Sequence, residues 1–261
     1  DSFGGLLRAV GGGVVLDLCN HGILIIAGKL YERGVSLAQV VAFLVASPWN
    51  SFSLTLILIG LIGLKWTFLY IIGSMVIALI TGYILQQMTL SGALPTNPNK
   101  TEHDENFKII DETKKLWSKV SFTKANMIDV LATGWKEGQM IIKWLLFGTI
   151  LAAAIRVFIP TEFFQDWFGP TMVGLILTVV AATFIEICSE GSAPIAGELT
   201  KIAAAPGNGF AFLMSGVATD YTEILVVREF TRSWKVALCI PLITVPQIIF
   251  LGWLMNMAAS S

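Results

Sequence analysis

Along most of the chain apolar residues run continuously instead of alternating, in stretches of about twenty or more, with polar residues gathered between them. An α-helix needs about twenty apolar residues to cross roughly 30 Å of hydrocarbon, so the pattern predicts membrane-spanning helices. The alternation of an outer-membrane barrel is missing from these stretches. The first, residues 3–33, is too long for one span. Gly11-Gly12-Gly13 and Cys19-Asn20-His21-Gly22 punctuate it, which predicts two helical pieces broken at the cysteine motif. The second, 36–63, contains Pro48-Trp49-Asn50, and a proline inside a helix removes a donor and clashes with the preceding turn. Residues 65–87 read as an ordinary span, with Lys65 and Trp66 placed to anchor at the interface.

From residue 89 to 137 the pattern turns polar, with Pro95, Pro98, His103 and charges of both signs. Its first part reads as a linker. Its second part spaces Phe122, Met127, Ile128, Leu131 and Trp135 at helical intervals, as for a helix lying along the membrane surface. The plan then repeats. An apolar lead-in (138–159) and an amphipathic connector (161–169) precede a broken segment at 170–203 with Pro194 in it. A second broken segment at 207–229 carries Gly216-Val217-Ala218-Thr219-Asp220 at its break, and a closing span covers 234–257.

Residues 17–56 and 186–225 align without a gap at an offset of 169, and ten of the forty positions are identical. Each copy has an acid-x-Cys-x-(His or Glu)-Gly motif: Asp17, Cys19, His21 and Gly22 in the first, Glu186, Cys188, Glu190 and Gly191 in the second. The expected fold is an all-α polytopic membrane protein of two homologous repeats with discontinuous, broken or re-entrant, helices. The repeats occupy 1–88 and 138–261 on either side of the 89–137 linker. The counterpart of the lead-in would lie upstream of residue 1, so the first repeat is expected to lack its N-terminal helix in this sequence. Breaks at matching places in two halves point to a transporter site near the bilayer midplane, since broken backbone at that depth must be surrounded by protein or water. Weak positive charge in equivalent loops leaves open whether the repeats are parallel or inverted.

Composition agrees. Mean hydropathy is +0.74, and 13% of residues are charged, against about a quarter in soluble domains. A net charge of −1 gives no case for nucleic acid. Three cysteines in apolar surroundings do not suggest a disulfide framework; two lie in the motifs, and Cys239 reads as packing.

An ionisable group in a membrane segment is costly unless it has a partner or a task. In a continuous helix Asp17 would stack on His21 and Glu186 on Glu190, leaving the cysteines apart. Unwinding at each motif lets Cys19, His21, Cys188 and Glu190 converge where the copies meet. Two sulfurs, an imidazole and a carboxylate suit tetrahedral Zn²⁺ and are acceptable to copper. Asp17 and Glu186 would support the ligands or exchange protons when metal leaves. A lone membrane cysteine or histidine is as often a packing residue; the matched register of acid and cysteine in two copies favours a site. Asn50, Asp220 and Glu223 extend the polar path. Ser53, Thr55 and Thr222 read instead as hydroxyls bonded back to their own helix. The acids in apolar segments outnumber bases that cannot snorkel, which argues for a cation path.

On Cys19-Asn20-His21-Gly22, on the run from Ala42 through Pro48-Trp49-Asn50, on Glu190-Gly191-Ser192-Ala193-Pro194 and on Ala211-Phe212-Leu213-Met214, the chain resembles the bacterial permease family that includes organoarsenical efflux permeases, within it the copper/zinc efflux branch. The resemblance implies an inner-membrane permease exporting a thiophilic metal or metalloid. Arsenical permeases place cysteines close together in the first motif, whereas His21 stands here, which favours a borderline metal ion. The partners expected are a metal ion carried as substrate and the lipid bilayer, with a homo-oligomer left open. No prosthetic group is expected, and no phosphate-cradling loop is present. Two alternatives remain: efflux of trivalent organoarsenicals through Cys19 and Cys188, and a membrane-embedded zinc enzyme with Glu190 as general base.

Overall fold

The computed structural model describes residues 3–16, 20–46, 52–99, 146–154, 161–185 and 189–260, with isolated positions between 135 and 158. All regular structure among the described residues is helical: α1 (Phe3–Val15), α2 (Asn20–Glu32), α3 (Leu37–Ala46), α4 (Phe52–Leu90), α5 (Thr161–Phe168), α6 (Met172–Phe184), α7 (Ser189–Lys201), α8 (Pro206–Ala218), α9 (Tyr221–Thr231) and α10 (Trp234–Ser260). Three helical stretches among them are long and apolar enough to cross a membrane: Leu54–Leu90, Pro206–Thr231 and Trp234–Ala259. The amphipathic stretch expected at 121–136 lies almost wholly outside the described residues.

Local chemistry sets several helix ends. Thr171 Oγ1 accepts the Gly174 N–H at 3.0 Å and caps α6. Pro206 opens α8, where its missing N–H costs nothing. Asp220 caps α9. Gly63, at φ 83°, breaks α4 into pieces 52–62 and 64–90, at the boundary expected between the second and third apolar stretches. Arg232 takes the left-handed conformation, φ 53°, between α9 and α10. Adding 169 to the bounds of α1 and α2 gives those of α6 and α7, and the same step carries the first piece of α4 onto α9 and Gly63 onto Arg232.

Two hairpins organise the fold. In the first, α2 and α3 join through a turn at 33–36, which Asn97 holds by donating from Nδ2 to the Tyr31 and Val35 carbonyls, each at 2.7 Å. In the second, α7 and α8 join through 202–205, and Tyr70 donates its hydroxyl to the Pro206 carbonyl there. Their open ends meet, because Ala218 at the end of α8 shares one small cavity with Leu44 and Val45 near the end of α3. From that junction α9 runs toward the first turn. Its early residues Glu223 and Ile224 share the same cavity, while Phe230 packs on Gly28 and on the Tyr31 ring, centroids 5.4 Å apart. Arg232 then reverses the chain, and Ile240 of α10 returns to the cavity.

The second piece of α4 and α10 pass each other antiparallel. Gly73 lies at Met255 and Thr81 at Gln247, whose Nε2 donates to the threonine hydroxyl at 3.1 Å. Small residues allow these crossings, as expected where lipid supplies no hydrophobic drive between helices. Gly207 meets the Gly252 backbone so closely that a Cβ would overlap it, and Gly148 meets Gly191 in the same way. Around Gly207, buried Asn256 accepts its N–H at 2.7 Å and donates to Asn208 at 2.8 Å, and Asn208 donates to the Phe168 and Gly169 carbonyls. Cys239 packs at the edge of the main core.

Candidate functional site

Both cysteine motifs lead into helices that start at the junction of the hairpins. α2 begins at the end where α3 finishes, α7 begins where α8 finishes, and those two ends share a cavity. The ends of α3 and α8 and the starts of α2, α7 and α9 therefore gather at one place. His21 and Glu190 stand in the first turns of α2 and α7. Asp17, Cys19, Asn50, Glu186 and Cys188 lie outside the described residues, as do the side chains of His21 and Glu190. Among the described residues no three His, Cys, Asp or Glu side chains group as metal ligands.

The α8–α9 interval is described in full. Asp220 Oδ1 accepts the Thr222 N–H at 2.7 Å, which orients one carboxylate oxygen along the start of α9. Thr219 Oγ1 donates to the Ser215 carbonyl at 2.6 Å and stands 2.8 Å from Thr183 Oγ1. Thr183 is one residue from the end of α6 and three before Glu186, so this hydroxyl pair ties the approach to the second motif to the α8–α9 interval. Ser215 Oγ is fully buried without a hydrogen-bond partner among the described residues. Glu223 lines a cavity of about 20 Å³ with Val41, Leu44, Val45, Ala218, Ile224, Val227 and Ile240. That volume holds about one water molecule.

Asp220 and Glu223 lie beside the hairpin junction. Thr183 escaped notice in the sequence because single hydroxyls in apolar helices are common; only its approach to Thr219 across two elements distinguishes it. Two glycine contacts between distant helices also correspond at a step of 169 residues. Phe230 of α9 packs on Gly28 of α2, and Leu61 of α4 packs on Gly197 of α7. These are the same two positions displaced by 169 in opposite senses.

Residues 2–257 match a family model described as a predicted permease. The chain belongs to that permease family. It is similar to a putative two-component membrane permease complex subunit of Streptococcus mutans, at 22% identity over 83% of this chain and 68% of the relative. It is also similar to the UPF0718 protein YcgR of Bacillus subtilis, at 26% identity over 89% of this chain and 75% of the relative. No solved structure matches. Family and apolar helices together make this permease a membrane protein, in keeping with a transporter.

Proposed function

We propose that this permease is a multi-pass carrier of the bacterial inner membrane that exports a thiophilic metal ion, zinc or copper, through a site between two inverted repeats. The observation that carries the reading is the gathering of both motif-bearing helix starts at the junction of the hairpins. Support for the repeat comes from the shared 169-residue spacing of helix bounds and from the reciprocal pairs Gly28–Phe230 and Gly197–Leu61. Support for inversion comes from the antiparallel passage of α10 against the second piece of α4, which a two-fold axis in the membrane plane would produce.

In this reading Cys19, His21, Cys188 and Glu190 hold the ion during transit, each half supplying two ligands. A dithiolate site with a nitrogen and an oxygen donor prefers zinc or copper to magnesium or calcium. Asp17, Glu186, Asn50 and Asp220 form the polar approach. Glu223, a carboxyl among apolar side chains, exchanges a proton for the metal. A mobile ion in such a site must bind well enough to enter and weakly enough to leave, and removal of a proton from a ligand as metal binds supplies that tuning.

The test is uptake into proteoliposomes of Zn²⁺, Cu⁺ or a trivalent methylated arsenical by the wild type and by the Cys19→Ala/Cys188→Ala variant. Zinc or copper flux that depends on both cysteines is expected. Flux of the arsenical alone would replace the substrate, and metal flux indifferent to the cysteines would overturn the site.

A further inference from the structure

Between α2 and α9, toward the 33–36 turn, lies an open cleft of about 770 Å³. It is lined by Leu24, Gly28, Lys29 and Glu32 of α2, by Val226, Glu229, Phe230 and Arg232 in and after α9, and by Pro98 and Asn99. Leu24, among its lining residues, stands one helical turn, about 6 Å, along α2 from the start of that helix.

The charges around this cleft are ordered. Along α2 a cation, Lys29, is followed three residues on by an anion, Glu32; along the facing strip an anion, Glu229, is followed three residues on by a cation, Arg232. Because α2 and α9 both run toward the 33–36 turn, the order opposes Lys29 to Glu229 and Glu32 to Arg232. Yet the ion pairs formed are local ones: Lys29 to Glu32 at 2.6 Å and Glu229 to Arg228 at 3.5 Å. Lys29, Glu32 and Glu229 are therefore paired within their own helices, each facing its complement across the opening.

The pseudo-equivalent contact on the other side of the molecule is built differently. There the positions corresponding to Lys29 and Glu32 are Glu198 and Lys201, and those corresponding to Glu229 and Arg232 are the glycines Gly60 and Gly63, which carry no charge. Leu61 packs on Gly197 instead, and Pro194 is buried where its counterpart Ile25 is 67% exposed at the open cleft. Arg232 holds a left-handed φ of 53° where its counterpart is glycine. An arginine kept there at a backbone cost points to a task for its side chain.

We propose that the α2–α9 cleft is the aqueous vestibule of the carrier on the 33–36 face, and that it closes by exchange of the local ion pairs for Lys29–Glu229 and Glu32–Arg232 across the opening. At the opposite face Leu61 packs on Gly197 instead. This gate rests on the carrier reading above, but its test does not depend on which substrate is carried.

The test uses charge order. Lys29→Glu with Glu32→Lys keeps the local pair on α2 and sets like charges against each other at both cross-cleft positions. Adding Glu229→Lys and Arg232→Glu restores both complements. In each background Ile25→Cys is introduced, and labelling by a membrane-impermeant maleimide is measured in membranes opened to both faces, with the three native cysteines as the blank. The double charge variant should label faster than the parent by roughly threefold or more, the scale of one or two exposed ion pairs, and the quadruple variant should return to the parent rate. Equal labelling in all three backgrounds would overturn the ionic gate. Absence of labelling in all of them would place lipid in the cleft and overturn the vestibule. Loss of zinc binding with this labelling pattern intact would remove the metal and leave the gate.

Discussion

The asparagine pair at the close crossing of α8 and α10 shows how a single polar residue is made safe inside apolar sequence. Asn256 fills its carbonyl with the Gly207 N–H and its amide with Asn208, which in turn closes two carbonyls at the α5–α6 turn. Removing one partner strands the others without water. Asn256→Ala should therefore cost about 2–3 kcal/mol, and Asn208→Ala/Asn256→Ala should cost less than the sum of the single changes. Denaturation of the detergent-solubilised protein measures both; additive losses of a few tenths would mean the network contributes nothing. At the same scale the cysteine motifs were legible because acid and cysteine recur in register. The asparagine chain was not, since Asn208 and Asn256 lie far apart in sequence and each alone resembles an ordinary loop or helix-end residue.

Among the elements, the joints at Gly63 and Arg232 make opposite predictions from equivalent places. Gly63 adopts its positive φ freely, with nothing near the position of a Cβ. Gly63→Ala should destabilise by about 1 kcal/mol through backbone conformation alone. Arg232→Gly should stabilise by about 0.5–1 kcal/mol while impairing closure of the cleft, so that stability and transport move in opposite directions. A loss of stability at Arg232→Gly would show that the arginine is held by contacts worth more than its backbone cost. Gly63 could be read from the sequence as a boundary, because a glycine precedes Lys65 and Trp66 at the end of an apolar stretch. Arg232 could not, since arginine seldom takes that conformation and nothing local demands it. α10 runs through Pro241 and Pro246 as the single closing span that the apolar run at 234–257 predicts; packing against α4 and α8 outweighs the lost backbone bonds.

For the whole molecule, the all-helical class and the order of apolar segments follow from hydropathy, but the contacts between distant helices do not. That information resides in Gly28 against Phe230 and Gly197 against Leu61, pairs that only the folded chain reveals. If the halves form an exchanger, Glu223 supplies the proton from its cavity between α3, α9 and α10. Glu223→Gln should abolish the pH change that accompanies zinc flux in vesicles while leaving zinc binding within about threefold of wild type, since the residue is not among the proposed ligands. Proton movement unchanged in that variant would assign the coupling to another acid.

The most direct measurement of the central claim is zinc X-ray absorption on the loaded protein, wild type beside Cys19→Ala and Cys188→Ala separately. One ion shared between the halves requires two sulfur neighbours at about 2.3 Å and two lighter ones at about 2.0–2.1 Å, with one sulfur lost in each single variant. A spectrum without sulfur, or one that only a single cysteine alters, would contradict a site built from both halves.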